Sequence, residues 1–92
     1  MKYEVMLILK PLLPEDIKTN IIEEVERLVK KYDGKINSTD VWGKRHLAYQ
    51  INKHDEGYYI VYKLEMNQKD SKEFDRQLNL NTGILRFLRT KI

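Results

Sequence analysis

The sequence has 92 residues and a net charge of +3, enough chain for one small core but not for two, so we expect a single domain over residues 1–92. Hydrophobic residues make up 41% and charged residues 34%, a mixture typical of a soluble, folded chain rather than a disordered one. The absence of cysteine excludes disulfides and thiolate metal sites, and the longest apolar run, residues 5–9, is far shorter than the roughly 20 residues of a membrane helix, so the cytoplasm is the expected location.

A strand followed by an amphipathic helix is predicted for the first third of the chain. Over residues 3–9 apolar side chains alternate with their neighbours, a period of two that indicates a strand with one core face. Over residues 14–32 apolar side chains recur at helical spacing, with acids early and lysines in the last turn. The expected buried stripe of this helix is Ile17, Ile21, Val25 and Leu28. The pair Asp33-Gly34 then supplies a residue tolerant of positive φ, which a helix C-terminus favours.

The middle of the chain predicts an antiparallel hairpin. Residues 35–51 are extended, with a bulge or bend expected at Gly43 because this residue has no side chain. The turn-forming segment 52–57 leads into residues 58–64, a strand dense in aromatic and β-branched side chains. By alternation Tyr59 shares one side of this strand with Val61 and Lys63, which makes it the better surface candidate among the tyrosines.

A short helix and a last strand complete the chain. Asn67 is expected to cap the helix, with Asp70 three residues later and Phe74 and Leu78 on the buried side. The helix ends within residues 79–83, and residues 84–89 form a strand. Its facing stays open, because both parities carry apolar residues and one arginine.

The resulting order, βαββαβ, predicts an α+β ferredoxin-like fold. Right-handed crossovers and adjacent hairpin strands favour a four-stranded antiparallel sheet with both helices on one face. The other face is then open, and many unrelated functions use such a face. Charge is also segregated: residues 15–26 carry five acids and one lysine, whereas the last seven residues carry three cations and no acid. A polyanion would approach the basic flank.

The sequence gives little support for catalysis. A nucleophile with its base would need a hydroxyl near His46 or His54 and a third group to orient the imidazole, and the spacing does not suggest one. The carboxylates of Glu23, Glu24 and Glu26 lie on the polar side of the predicted helix and are expected to be solvated rather than metal-bound. The four glycines are isolated, which argues against a phosphate-binding glycine-rich loop.

Residues 42–49, in sequence WGKRHLAY, place a basic triplet between two large aromatic residues. Cations neutralise phosphates, while aromatic rings and guanidinium planes stack on unpaired bases, so RNA binding is one interpretation. In the other interpretation Leu47 and Tyr49 are core residues and the triplet is a solvated loop. Composition alone leaves both open.

Five stretches of the chain occur in an order and at separations typical of one protein family. They are Lys2-Tyr3-Glu4, Trp42-Gly43-Lys44-Arg45-His46-Leu47-Ala48-Tyr49-Gln50-Ile51, Gly57-Tyr58-Tyr59, Phe74-Asp75-Arg76-Gln77-Leu78 and Ile84-Leu85-Arg86. From residue 2 to about residue 91 the chain therefore resembles the bacterial small-subunit ribosomal protein family numbered six. It departs from the family pattern at His46, where a second basic residue is common, and at Asn79, where a basic residue is often found.

The resemblance implies a structural, non-enzymatic ribosomal protein. Such a protein binds the central domain of small-subunit ribosomal RNA at a helical junction, jointly with the small-subunit ribosomal protein numbered eighteen. No cofactor, metal or small-molecule substrate is implied, and the expected location is the ribosome. The residues expected near RNA or the protein partner are Lys2, Tyr3, Trp42, Lys44, Arg45, His46, Tyr49, Arg86 and Arg89.

Two other interpretations have the same element order. An RNA-recognition-motif protein would act alone, and its third strand typically carries a Gly-aromatic-Gly-aromatic core. The third strand of this chain has Gly57-Tyr58-Tyr59 instead and lacks that core. A ferredoxin-like acylphosphatase or ligand-sensor module expects an anion-cradling loop after the first strand. Pro11 and Pro14 lie in that loop and donate no backbone N–H.

Overall fold

A computed structural model describes residues 1–51 and 53–92; for residues 48, 49 and 51 it describes the backbone alone. The described residues form four strands and two α-helices. Their bounds are β1 Lys2–Leu9, α1 Glu15–Lys31, β2 Lys35–Ile51, β3 His54–Glu65, α2 Ser71–Asn79 and β4 Ile84–Lys91. A 3₁₀ turn, Gln68–Asp70, precedes α2. No helix in these two ranges is both long and apolar enough to cross a membrane.

The strands form one antiparallel sheet in the order β2-β3-β1-β4. β1 pairs with β3 on one side and with β4 on the other, and β2 pairs with β3. The buried residues of α1 and α2 belong to one hydrophobic cluster with alternate residues of β1 and β3, so both helices cover the same face of the sheet. This arrangement confirms the predicted ferredoxin-like fold.

The core lies between the two helices and one face of the sheet. Alternation along β1 sends its odd-numbered residues into this core, and Val5, Leu7 and Leu9 have no exposed surface. Ile60 and Tyr62 of β3 lie opposite Leu7 and Val5 and are equally buried. The helices contribute Ile21, Val25, Leu28 and Val29 from α1 and Ser71, Phe74 and Leu78 from α2.

The buried stripe of α1 begins later than predicted, whereas the positive φ at its C-terminus falls within the predicted pair Asp33-Gly34. Ile17 keeps 39% of its surface exposed, so the buried stripe begins one turn later, at Ile21. At the other end the positive φ of 56° belongs to Asp33, not to Gly34. Gly34 is needed for space instead, because a Cβ there would lie 2.5 Å from the carbonyl oxygen of Glu65 on β3.

The start of α2 also differs, because Asn67 does not cap it. The helix begins at Ser71, after the 3₁₀ turn, and neither Asn67 nor Asp70 makes a side-chain capping hydrogen bond. The buried hydroxyl of Ser71 instead donates to the carbonyl oxygen of Gln68 at 2.8 Å. That bond ties the 3₁₀ turn to the first turn of the helix.

The β2–β3 hairpin extends further than the sequence predicted. Strand pairing continues to Arg45 opposite Gly57 and His46 opposite Glu56, so β3 begins at His54 rather than at residue 58. The bulge expected at Gly43 is confirmed: its φ is 82°, and the register of β2 with β3 shifts between Val41 and Gly43.

The facing of β4 follows from its register with β1. Leu7 pairs with Phe87 and Ile8 with Arg86, so Phe87 faces the core and Arg86 faces the other way. A register shift between Ile8 and Leu9 then brings Ile84 opposite Leu9. The parity of the core positions therefore changes along β4, which is why a simple alternation could not assign it.

Ile21→Ala and Ile17→Ala form a matched pair that tests the facing of α1. Ile21→Ala should lower the free energy of unfolding by about 2–5 kcal/mol, because it empties a core site in which only 4% of the residue is exposed. Ile17→Ala should lower it by about 1 kcal/mol or less, since that side chain is partly solvated. Urea denaturation of both variants measures the difference, and equal losses would contradict the facing.

Candidate nucleic-acid interface

The sheet face opposite the helices carries the side chains that alternate with the core residues. Strand register arranges many of them into rows that cross the sheet. The upper row, nearest the β2–β3 turn, consists of Trp42, Tyr59, Ile8 and Arg86. The middle row consists of Asp40, Val61, Met6 and Leu88, and the lower row of Ser38, Lys63, Glu4 and Thr90.

The three rows differ in charge and polarity. Asp40 lies in the middle row and Glu4 in the lower row, whereas the upper row contains Arg86 and no acid. Large apolar side chains remain accessible on this face, with Trp42 43% and Leu88 57% exposed. An uncovered face that combines apolar area with cations is typical of a surface that binds another macromolecule.

The rings of Trp42 and Tyr59 form the aromatic part of the upper row. Their planes are only 8° apart and their centroids are 6.2 Å apart, a parallel, laterally displaced stack. Tyr59 pairs with Ile8 of β1 on its other side, and Ile8 is only 9% exposed. The two aromatic rings therefore present nearly parallel faces at one end of the open sheet.

The bulge in β2 explains how Trp42 comes to lie beside Tyr59. Val41 pairs with Ile60 and Gly43 with Tyr59, so Trp42 is the extra residue that a bulge inserts into one strand. The φ of 82° at Gly43 lies in the left-handed region that glycine adopts without strain, which suits this geometry. The Trp42 indole N–H donates to the Asp40 carboxylate at 3.0 Å, which fixes the orientation of the ring.

A shallow depression of about 360 Å³ adjoins the two rings and is lined by Trp42, Tyr59, Arg45 and His46. The guanidinium carbon of Arg45 lies 6.0 Å from the centre of the Trp42 ring, within the range of a cation–π contact. The depression thus combines aromatic faces with a guanidinium and an imidazole, which are groups that contact the bases and phosphates of RNA.

Lys44 and His46 share a carboxylate partner across the hairpin. The Glu56 carboxylate lies 3.0 Å from the Lys44 ammonium and 3.9 Å from Nδ1 of His46. Lys44 is 60% and His46 86% exposed, so neither side chain is withdrawn from solvent by this contact. Surface ion pairs of this kind are weak, and both groups remain available to a phosphate.

The structure separates Tyr3 and Arg89 from the upper row and places them on the helix side of the sheet. Tyr3 is only 2% exposed, and the Arg89 guanidinium lies 4.9 Å from the centre of its ring. Arg89 also donates two hydrogen bonds to Asp75 of α2, at 2.8 and 2.9 Å, which raise the pKa of the guanidinium. These two residues therefore hold α2 against the sheet.

Lys2 and Tyr49 are not part of the upper row either. Lys2 lies at the opposite end of the sheet, paired with Glu65, whose pKa is lowered first by a hydrogen bond from Asn37 and further by the charge of Lys2. The side chain of Tyr49 lies outside the described residues, although its backbone belongs to β2. Of the predicted site residues, the structure brings together Trp42, Arg45 and His46, with Arg86 at the far end of the same row. Lys44 pairs with Tyr58, a core-side residue of β3, so its side chain leaves β2 on the helix side of the sheet.

Two residues of the upper row were not among the predicted site residues. Tyr59 had been identified by alternation as a surface tyrosine, but nothing in its own strand indicates that Trp42 lies against it. Ile8 gave no signal at all, because it belongs to the less regular side of β1. That Tyr59 and Ile8 belong to this row becomes clear only from the pairing of β3 with β2 and with β1.

The acidic side of α1 is solvated, as predicted. Glu23 and Glu26 are exposed, and Glu24 forms a 3.0 Å surface ion pair with Arg27. Within residues 1–51 and 53–92, no group of three or more histidine or acidic side chains could hold a metal ion.

Comparison with known proteins gives one family. The family model described as "Ribosomal protein S6" matches residues 2–91. The small ribosomal subunit protein bS6 of Corynebacterium aurimucosum is 48% identical over 84 residues, which are 91% of this chain and 88% of that protein. The bS6 protein of Streptomyces griseus is 46% identical over the same shares of the two chains.

Solved structures agree with this result. The crystal structure of the 30S ribosomal protein S6 from Thermotoga maritima superposes with a TM-score of 0.92 at 28% identity, covering 99% of this chain and 86% of that one. The C-terminal domain of the MgtC protein from Mycobacterium tuberculosis has a TM-score of 0.63 at 13% identity and covers 96% of this chain and 83% of that one. At that identity the second likeness concerns the fold alone.

Arg89→Ala should destabilise the fold, while Arg45→Ala should not. Removing Arg89 leaves Asp75, which is 28% exposed, without its bidentate partner, and we expect a loss of about 1.5–3 kcal/mol in the free energy of unfolding. Arg45 is exposed, and its removal should change that free energy by about 0.5 kcal/mol or less. Urea denaturation compares the two variants. An Arg89→Ala protein as stable as the wild type would contradict the structural role.

Proposed function

The chain belongs to the ribosomal protein S6 family, and from this premise we propose that it binds the central domain of small-subunit ribosomal RNA jointly with the small-subunit ribosomal protein numbered eighteen. Membership makes the chain a structural protein of the small ribosomal subunit, not an enzyme, and places it on the cytoplasmic ribosome. The proposal therefore concerns which RNA it contacts, with which partner, and through which surface.

The observation that carries the RNA half of the proposal is the upper row together with the basic segment of β2. Arg86 lies at one end of the row and Arg45 beyond the other end, while Lys44 projects from the same edge strand towards the helix side. A surface with cations on both sides of two aromatic rings provides phosphate contacts and base contacts at once. The upper row itself contains no acid, and the carboxylate of Asp40 in the next row accepts a hydrogen bond from the Trp42 indole.

Two features support the proposal of a protein partner: a low net charge for a protein that would bind RNA alone, and exposed apolar surface. Its net charge is only +3, because 14 acidic residues offset most of its 17 lysines and arginines. At the same time Leu88 is 57% and Val41 49% exposed, and both β2 and β4 are edge strands of the sheet. A basic partner that covers apolar surface or adds a strand at an edge would supply the missing charge and stabilise the complex.

Within this proposal the 92 residues act as one ferredoxin-like RNA-binding domain. Trp42, Lys44, Arg45, His46 and Arg86 are the predicted site residues that we assign to the interface. Tyr3 is buried and Arg89 is engaged by Asp75, so we do not assign these two residues to the interface.

RNA binding should weaken as salt rises, because Lys44, Arg45 and Arg86 would displace condensed counterions from the phosphates. Three phosphate contacts imply a slope of about −2 to −3 in a plot of log affinity against log salt concentration. Arg45→Gln should reduce the magnitude of the slope by about 0.7–0.9. The measurement is a filter-binding or anisotropy titration at several salt concentrations. Equal affinities at low and moderate salt would be inconsistent with this mode of binding.

RNA and protein partner should bind cooperatively. A fragment of the central domain is titrated with the chain alone, with the partner protein, and with both, and we expect tight binding only in the last case. Arg45→Glu should weaken that assembly, whereas Lys72→Glu, the same charge reversal on an exposed position of α2, should not. Both variants should keep the unfolding midpoint of the wild type. Tight binding by the chain alone, unchanged by the partner, would refute the cooperative mechanism but not RNA binding.

A further inference from the structure

We propose that Trp42 and Tyr59 form a stacking platform for one unpaired nucleobase of the bound RNA, an inference that rests on the proposed RNA binding. The platform is the exposed surface of the two parallel rings, together with the depression beside them. It assigns to these residues a contact with a base, distinct from the phosphate contacts of the neighbouring cations.

The ring geometry suits an added aromatic ring. The two planes differ by 8°, so a base lying parallel to one ring is also parallel to the other. Aromatic systems favour such displaced parallel arrangements, and every nucleobase offers a flat face of this kind. Both rings line the adjoining shallow depression, and 43% of the Trp42 surface remains exposed to solvent.

The platform is already ordered before a ligand arrives. The hydrogen bond from the Trp42 indole to Asp40 fixes one ring, and the pairing of Tyr59 with Ile8 and Gly43 fixes the strand that carries the other. A bound base would therefore not have to immobilise these side chains, which lowers the entropic cost of stacking.

The charges around the platform favour RNA over a protein segment as its occupant. Arg45 and His46 line the depression, and Arg45 lies 6.0 Å from the centre of the Trp42 ring. The two nearby acids are engaged, Asp40 by the indole and Glu56 by Lys44. A base on the rings would bring its own phosphates next to these cations, whereas an apolar protein side chain would leave them without a counter-charge.

The lining also predicts little preference among the four bases. Arg45 and His46 provide side-chain hydrogen-bonding groups at the rim, but they are exposed and able to adopt several positions. Binding through ring faces, without a fixed set of donors and acceptors for a base edge, tolerates any base that is unpaired. The platform therefore selects single-stranded nucleotides rather than a sequence.

Trp42 is the only tryptophan in the chain, so its fluorescence reports directly on the platform. The wild-type chain is mixed with the partner protein, whose tryptophans are replaced by phenylalanine if it has any, and then titrated with a central-domain RNA fragment. We expect Trp42 emission to be quenched as RNA binds, and a short single-stranded oligonucleotide of mixed sequence to quench it at higher concentration. A fully paired RNA duplex should quench it much less.

Substitutions then measure the contribution of the rings. Trp42→Leu and Tyr59→Leu should each weaken RNA binding by the complex between about 5-fold and about 150-fold, which corresponds to the loss of one stacked base. Trp42→Phe and Tyr59→Phe should recover part or all of the affinity, because they keep an aromatic face. The salt slope should stay unchanged in all four variants, since no phosphate contact is removed. Leu80→Ala, at a residue 63% exposed beside α2, is the control and should bind as the wild type does.

Each contrary result has a distinct meaning. RNA binding with unchanged Trp42 emission, or with leucine variants as tight as the wild type, would overturn the platform while leaving the proposed function intact. Quenching by the partner protein alone, with no further change on adding RNA, would overturn it by assigning the rings to the protein contact. Failure of the wild-type complex to bind the RNA fragment would overturn the proposed function and the platform with it.

Discussion

The antiparallel register of β1 with β3 places Leu7 opposite Ile60 and Ile8 opposite Tyr59, and the rest of the structure depends on it. Leu7 and Ile60 have no exposed surface and lie in the core beneath the helices, while Ile8 and Tyr59 lie on the uncovered face. A shift of one residue would exchange the two faces, burying Tyr59 and exposing the core. That exchange would expose several large apolar side chains, so the free energy of core burial holds the register in place. The same register decides which side chains lie on the open face.

The same pairing energy holds the bulge at Gly43 in place. β2 continues to pair with β3 on both sides of the bulge, from Val41 opposite Ile60 to Arg45 opposite Gly57, so the extra residue has no other position to occupy. A glycine at positive φ lets the strand accept it with little strain. The aromatic pair on the open face is thus a consequence of strand geometry, and the position of Trp42 does not depend on a ligand.

The two arginines of β4 illustrate how one strand serves both sides of the sheet. Arg86 pairs in register with Ile8 and faces outward, whereas Arg89 pairs with Val5 and turns towards α2, where it binds Asp75. They are three positions apart in the sequence, so a strand places them on opposite faces. The inward arginine stabilises the packing of the second helix, and the outward one contributes charge to the surface. Stability and binding can therefore be changed separately by substituting one or the other.

The sequence by itself determined the element order, the fold class and the family, because alternation, helical spacing and the Trp42 to Ile51 motif are local properties. Alternation also identified Tyr59 as the better surface tyrosine, and the family resemblance named Arg45, Arg86 and Arg89 without distinguishing their faces. Only the tertiary structure decided that Tyr59 shares one surface with Arg45 and Arg86 but not with Arg89. The physical reason is that a side chain's face depends on strand register, and register is set by bulges and by contacts between segments far apart in the chain.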